Sequence, residues 1–187
     1  MNKNEILTPA RTYVWLAPVG TAFPASPAGP FVAPWRNVGH TTEDSLQFET
    51  SPEFEEFRSA QSDYAVKKFQ TSDAATVQVD LAQWNGANLK AVHGGGSITK
   101  VGTAPNEYFK FTPPRVGERE DVAAAVHVKE GDKNYLYALP ITTQSEGVSS
   151  SLGKGAVSTL PLRLDVLGGD DADAWYMLTD DEAFDLV

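Results

Sequence analysis

Three kinds of residue in this chain could do chemistry: its many carboxylates, its three histidines and one glycine-rich loop that carries a lysine. The loop Gly147–Gly155 resembles a phosphate-binding loop. However, five residues separate its first two key glycines, and Gly155 stands where that motif needs a Ser or Thr to bind magnesium. We interpret it as a turn or a mobile loop.

Metal binding is equally poorly supported. Asp171 and Asp173 have the opening spacing of a calcium loop, but Trp175 stands at the next ligand position and no glycine follows. His40, His93 and His127 are not at helical ligand spacing from one another. The chain has no cysteine, which excludes disulfides and thiolate ligands. We therefore predict no metal site and no cofactor.

Carboxylates could form a hydrolytic pair, as in glycosidases, but nothing singles out two of them. Their distribution along the chain is more informative, since the net charge is −10. Segment 37–57 has no Lys or Arg and six acids: Glu43, Asp44, Glu49, Glu53, Glu55 and Glu56. Segment 168–187 has no base either, and its seven acids are Asp170, Asp171, Asp173, Asp180, Asp181, Glu182 and Asp185. Such acidic surfaces repel DNA, which would suit a protein conduit through which DNA must slide. The alternative interpretation is that these acids lie in solvated loops and keep the protein soluble.

Period-2 alternation of apolar residues dominates the rest of the chain and predicts a mainly β protein. With 187 residues the chain fits one domain. It has no apolar run long enough to span a bilayer, and its first residues do not resemble a signal peptide. The predicted strands are 12–16, 35–38, 46–49, 65–69, 76–81, 108–111, 122–128, 135–141, 160–166 and 175–178. Pro161 indicates an edge position or a bulge.

One helix is predicted at Gln83–Val92, with Trp84 as a core anchor. Two long irregular segments are expected. Segment 20–34 contains four prolines and suggests an arm or a surface loop. Segment 50–63 contains Phe54 and Phe57 among acids. Those rings either dock on a neighbouring subunit or fold back onto their own sheet.

The order of these segments resembles the major tail proteins of long-tailed phages. It begins with Trp35–Asp44 (WRNVGHTTED), continues through Leu46–Glu49, Gln61–Lys68 and Thr76–Leu81, and reaches Asn85–Ala91. The later hairpin and the last long strand are similar to that family's layout. The resemblance implies one tail tube domain over 1–187, with a β-sandwich or barrel-like fold, one short packed helix and long loops or arms. The arms would be a Pro-rich loop at about 20–34, an extended loop at about 50–63 and an acidic C-terminal arm at about 180–187.

The resemblance also implies a function. Such subunits form hexameric rings that stack into the tail tube, the conduit for the genome from capsid to host. The chain would then be a structural virion protein and not an enzyme, and it would need no cofactor and no membrane. Its partners would be further copies of itself, the tape-measure protein, and the tail terminator and distal tail proteins. DNA would pass without specific binding, and assembly would take place in the host cytoplasm.

Two sets of residues follow from this resemblance as expectations. Segment 52–70 would contact adjacent rings through Phe54, Phe57, Arg58, Lys67 and Lys68. The acids that line the lumen would be Glu43, Asp44, Glu49 and Asp80. Segments 20–34 and 180–187 are second-choice arms between subunits. Three alternatives stay open: the tube protein of a contractile secretion or phage-derived apparatus, a carbohydrate-binding β-sandwich module, and a hydrolase that uses carboxylates.

Overall fold

The computed structural model describes residues 6–169 and 173–185. Within those ranges lie ten strands, one α-helix and a short 3-10 helix at Glu182–Phe184. The strands are β1 (Arg11–Pro18), β2 (Arg36–Asn37), β3 (Gln47–Arg58), β4 (Ala65–Leu81), β5 (Ser97–Val101), β6 (Tyr108–Thr112), β7 (Val122–Glu130), β8 (Lys133–Gln144), β9 (Leu160–Val166) and β10 (Tyr176–Thr179); the helix α1 is Gly86–Val92.

The main sheet is antiparallel and has the strand order β2-β1-β7-β8-β9-β4-β3. Strand β8 has different partners along its length, because Tyr135–Ala138 pairs with β10 whereas Thr142–Gln144 pairs with β9. Side chains from β1 and β7 share one buried cluster with side chains from β4 and β9. The sheet therefore folds into two packed layers, which confirms the predicted mainly β, sandwich-like fold. Strands β5 and β6 form a separate two-stranded sheet.

Strict alternation fixes which faces of β4 and β9 enter the core. Val77, Val79 and Leu81 on β4 are fully buried, and the residues between them are partly exposed. On β9, Leu162 and Leu164 are buried in the same way and pair directly with Val79 and Val77. Each such side chain stabilises the fold by roughly 1.5–3 kcal/mol relative to an exposed position. A shift of one residue in register would place all of them in solvent.

A second apolar cluster covers the opposite face of β1, β7 and β8. Trp35 belongs to it, and Phe23 and Phe31 from the Pro-rich segment pack against it. Phe31 stacks on Trp15 with ring centres 4.5 Å apart, and the Trp35 Nε1 donates to the carbonyl of Ala22 at 2.9 Å. The Pro-rich segment is thus a surface loop that uses its aromatic residues to cover its own subunit.

Helix α1 is shorter than the sequence indicated. The side chain of Asn85 accepts a hydrogen bond from the Asn88 amide at 2.8 Å, and this N-cap makes the helix begin at Gly86 rather than at Gln83. Trp84 consequently precedes the helix and is 49% exposed, and its Nε1 donates to the Ser158 carbonyl. The prediction that Trp84 anchors the core is wrong; Val92 supplies the buried apolar side chain on this helix.

A polar network around Asn88 joins α1 to the strands. Asn88 is fully buried, and its Nδ2 donates to the carbonyl oxygens of Val38 and Gln83 at 2.8 and 3.0 Å. Its Oδ1 accepts from Arg36 Nη1 at 2.7 Å. Burial lowers the pKa of Arg36 from its ordinary value. Every polar group of the Asn88 side chain thereby has a partner, as buried amides require.

The C-terminal residues 180–185 lie against β8. Asp180 accepts hydrogen bonds from the backbone amide and the side chain of Asn134 at 2.6 and 2.7 Å. Asp181 is buried and accepts from the Tyr135 hydroxyl at 2.5 Å and from Lys133 Nζ at 2.9 Å. Within the predicted acidic arm, residues 180–185 therefore contact their own subunit. The predicted arm residues 186–187 and the calcium-like Asp171 lie outside the described residues.

The Asp181 contacts make stability depend on pH. The Tyr135 hydroxyl, Lys133 and the Ala183 amide lower the pKa of Asp181 from 3.8 to about 2. A lowered pKa contributes stability above pH 3.8 that is lost as the pH falls towards 2. The hydrogen bond to Asp181, together with burial, raises the pKa of Tyr135 from 10.0 to about 12, so its contribution is present below pH 10 and is lost by pH 12.

At neutral pH, we expect the wild-type subunit to unfold at a higher urea concentration than the Asp181→Asn variant. The difference should shrink as the pH falls from 3.8 to 2, where wild type also loses the charge. Urea titrations of both unassembled proteins over that range measure this. A difference that stays constant with pH would contradict the assignment.

Three further strand predictions need correction. The predicted strands 65–69 and 76–81 are one continuous strand, β4, and residues 50–58 of the expected irregular segment belong to β3. Strand β5 was not predicted. Pro161 lies in β9, between β8 and β4 in the sheet order, but β8 pairs only with Leu164–Val166. Within the described ranges, β4 is the only strand paired with β9 at Pro161, so the missing N–H is tolerated there.

Candidate assembly surface

A long β-hairpin, which we call the arm (residues 50–74), projects from the sandwich. It is the distal part of β3 and β4, which pair from Gln47 and Gln78 out to Arg58 and Ala65. Strand β9 accompanies β4 only from Thr76 onwards, so the arm has no third strand. Every arm residue except Ser59 is exposed. A two-stranded ribbon with both faces in water is marginally stable at best, so this one is expected to need a partner.

Large aromatic side chains are exposed on the arm. Phe54, Phe57 and Phe69 are 50%, 58% and 42% exposed, and Tyr64 near the turn is 83% exposed. The register places Phe54 opposite Gln70 and Phe57 opposite Lys67. The alternative in which Phe54 and Phe57 fold back onto their own sheet is therefore wrong. A concentration of exposed rings of this kind is typical of interaction surfaces.

Charged side chains lie between these rings. Glu56 is opposite Lys68 and forms an ion pair with Arg58 at 3.0 Å. Lys68 Nζ lies 5.1 Å from the centre of the Phe54 ring. Because these groups are exposed, each such contact contributes about 0–1 kcal/mol to the subunit. All five residues predicted to contact adjacent rings lie on this one hairpin.

The predicted lumen acids lie around the other end of the same strands. Glu49 on β3 is opposite Thr76 on β4. Asp80 lies four residues after Thr76, on the same partly exposed face of β4. Asp80 forms an ion pair with Arg163 at 3.2 Å. Glu43 and Asp44 lie in the turn before β3. The hydroxyl oxygen of Ser45, which follows that turn, accepts a hydrogen bond from the backbone amide of Asp80 at 3.2 Å. The four acids thus share one region, which also contains a base.

A second projecting hairpin, β5–β6, carries exposed aromatic residues; the sequence predicted a strand at 108–111 but not β5 or its pairing with that strand. Its base rests on α1, because the Phe111 ring lies 5.2 Å from the His93 ring. Burial and the nearby Arg119 charge lower the pKa of His93, which keeps the ring neutral at pH 7. Gly96, at a φ of +97°, leads into β5, and a Cβ there would lie 2.6 Å from the Thr112 carbonyl oxygen. Further out, Tyr108 and Phe109 are 60% and 74% exposed.

No feature of the described ranges suggests catalysis. They contain no group of three His, Cys, Asp or Glu side chains placed to hold a metal ion. The loop 145–159, which includes the phosphate-loop-like sequence, is irregular and mostly exposed. A groove of about 350 Å³ between α1 and the ends of β1 and β7 contains Arg36, but that guanidinium is bound to Asn88. The arm and the β5–β6 hairpin remain as the candidate functional surfaces.

No helix in the described ranges has the length and apolar character that crossing a membrane requires.

Residues 1–186 match the model of one protein family, described as phage tail tube protein. No curated protein matches the chain. The match covers almost the entire sequence. It confirms the resemblance inferred from the order of the segments. The chain therefore belongs to the phage tail tube protein family and is a structural protein of the virion tail.

Proposed function

We propose that this subunit forms hexameric rings that stack into the tail tube of a long-tailed phage, through which the genome passes from capsid to host. The observation that carries the proposal is the arm, whose exposed rings and exposed faces lack the partners that a folded ribbon needs. Stacking supplies those partners. The arm of each subunit reaches a subunit of the adjacent ring, and Phe54, Phe57, Arg58, Lys67 and Lys68 make that contact.

The polar face of β3, β4 and β9 is proposed to line the lumen. It presents Gln78, Asp80 and Arg163, together with Glu49 and Asp165, in strands whose opposite faces form the core. Acids outnumber bases on this face, and the turn with Glu43 and Asp44 adds more negative charge. Phosphates find few cations to neutralise them there, so DNA slides without adhering.

The remaining partners in this proposal act in sequence. The tube forms around a tape-measure protein in the host cytoplasm and ends at a tail terminator and at distal tail proteins. The tape-measure protein occupies the lumen before DNA does, so the lumen face contacts two different molecules in turn. A polar face of mixed charge suits both, because it binds neither tightly.

We expect the double variant Arg58→Glu with Lys67→Glu to assemble much less than wild type. Reversing two cations changes the net charge of each arm by −4, and the arm already carries Glu53, Glu55 and Glu56. Like charges brought together at an interface cost several kcal/mol. Negative-stain electron microscopy of purified protein at matched concentration measures the number and length of tubes.

The matched control for this experiment is Lys154→Glu with Lys129→Glu, two cations outside the arm. The Tm of each unassembled variant should stay close to that of wild type, because the exposed arm contributes little to subunit stability. Tubes of normal length from the arm variant would remove Arg58 and Lys67 from the contact. Wild-type protein that never forms rings or tubes, including in virions, would refute the proposed function.

A further inference from the structure

The β5–β6 hairpin differs in charge from the rest of the chain. Residues 97–112 have a net charge of +1, because they hold two bases, Lys100 and Lys110, and one acid, Glu107. The whole chain has a net charge of −10. Lys100 forms an ion pair with Glu107 within the hairpin, whereas Lys110 is exposed on the face that also carries Tyr108. The hairpin therefore presents a cation beside an aromatic ring.

The arm presents the complementary pattern. Residues 50–74 hold five acids and three bases, which gives the arm a net charge of −2. On one face of the arm, Glu56 and Phe54 already contact Arg58 and Lys68 of the same chain. The opposite face carries Glu55 next to Phe57, with Phe69 directly across from Glu55 and Lys67 directly across from Phe57. This second face therefore presents an exposed carboxylate beside two exposed rings.

We propose that the β5–β6 hairpin is the surface on a second copy of this chain that receives the arm, with Lys110 facing Glu55 and Tyr108 packing on Phe57 and Phe69. This inference rests on the proposed stacking, and it identifies the surface that the arm contacts. The spacing agrees, since Glu55 to Phe57 and Lys110 to Tyr108 are both steps of two residues along a strand, about 6.6–6.8 Å.

Formation of this contact buries exposed aromatic side chains of both the hairpin and the arm. Tyr108 on the hairpin, and Phe57 and Phe69 on the arm, leave water together. The ion pair then lies beside apolar rings, where its attraction is screened less than on an open surface. Phe111 and Ile98 hold the base of the hairpin on α1, so the receiving surface is preformed.

Zero-length carbodiimide crosslinking tests the contact directly, because it joins a lysine amine to a carboxylate only when the two touch. The protein is assembled from an equal mixture of ¹⁴N- and ¹⁵N-labelled wild-type chains, and crosslinked peptides are identified by mass spectrometry. We expect mixed-isotope peptides that link Lys110 to Glu55. Crosslinks from Lys110 that are only intramolecular, or that join acids outside the arm, would overturn the inference.

A charge swap provides the second test. Lys110→Glu and Glu55→Lys should each raise the protein concentration needed for assembly about tenfold or more. The double variant restores the pair in reverse and should return to within about threefold of wild type. Lys154→Glu, the control for charge alone, should assemble normally. A double variant as defective as the product of the two single variants would overturn the pairing.

The two proposals fail separately in these experiments. Normal tubes without the Lys110 crosslink refute the receiving surface and leave the tail tube function intact. A Lys110–Glu55 crosslink in small oligomers that never become tubes supports the contact and refutes the stacked-ring function. Chains that remain monomeric at every concentration tested, without intermolecular crosslinks, and that form no tubes in virions overturn both.

Discussion

Replacement of residues 54–71 by the dipeptide Asn-Gly is expected to abolish tube formation while leaving the subunit folded. The deletion removes the distal arm and closes β3 on β4 at the Glu53–Ser72 pair with a two-residue turn. The buried cluster is untouched, because none of its residues lies in this segment. Electron microscopy measures assembly, and thermal unfolding of the unassembled protein measures stability; we expect a Tm within a few degrees of wild type.

The control for this deletion is a chain with the same length of arm and altered composition. Phe54→Ser with Phe57→Ser keeps the hairpin register but removes two exposed rings. It should assemble poorly although the arm is present. Tubes of normal length from the truncated chain would show that the arm is dispensable for stacking. A truncated chain that unfolds would show that the arm supports the sandwich, contrary to its exposure.

Asn88→Ala is expected to destabilise the subunit by about 3 kcal/mol. The change leaves the carbonyl oxygens of Val38 and Gln83 without their donor and takes from Arg36 its buried acceptor. Each unsatisfied buried group costs about 1–3 kcal/mol, and the half-buried guanidinium adds to this. Urea unfolding of the unassembled subunit measures the loss.

Asn85→Ala is the matched comparison, because it removes an asparagine from the same helix end. Asn85 accepts a single hydrogen bond as the N-cap, so its loss should cost about 1 kcal/mol. We therefore expect the Asn88→Ala variant to be clearly less stable than the Asn85→Ala variant. Equal costs for the two variants would show that the network around Asn88 contributes no more than an ordinary helix cap.

Alternation of residue types predicted the core strands well because one face of each is buried. Leu160, Leu162 and Leu164 alternate with polar or less buried residues and were placed in a strand that the structure confirms. Strand β5 lacked this pattern, since Ser97–Lys100 is exposed on both faces. A strand that belongs to a two-sided exposed hairpin has no buried face to impose a period, and its residues carry little information about pairing.

The arm illustrates the same limit in a functional region. Its composition, with Phe54 and Phe57 among glutamates, correctly indicated an unusual surface segment but not its backbone conformation. The cross-strand register joins residues 47–58 to residues 65–78, so the ribbon is defined by non-local pairing. Local propensity does not encode such pairing. For Trp84, one cap residue decided the outcome: Asn85 fixed the helix start and left the indole outside the core.

The aromatic cluster under the Pro-rich loop divides the four tryptophans into two optical populations. Trp35 is buried and Trp15 is stacked against Phe31, so their emission and near-ultraviolet dichroism report the integrity of the single subunit. Trp84 and Trp175 are 49% and 36% exposed and can be quenched by a dissolved solute such as iodide. One protein thus carries both a reference for the folded subunit and a solvent-facing probe, without an added fluorophore.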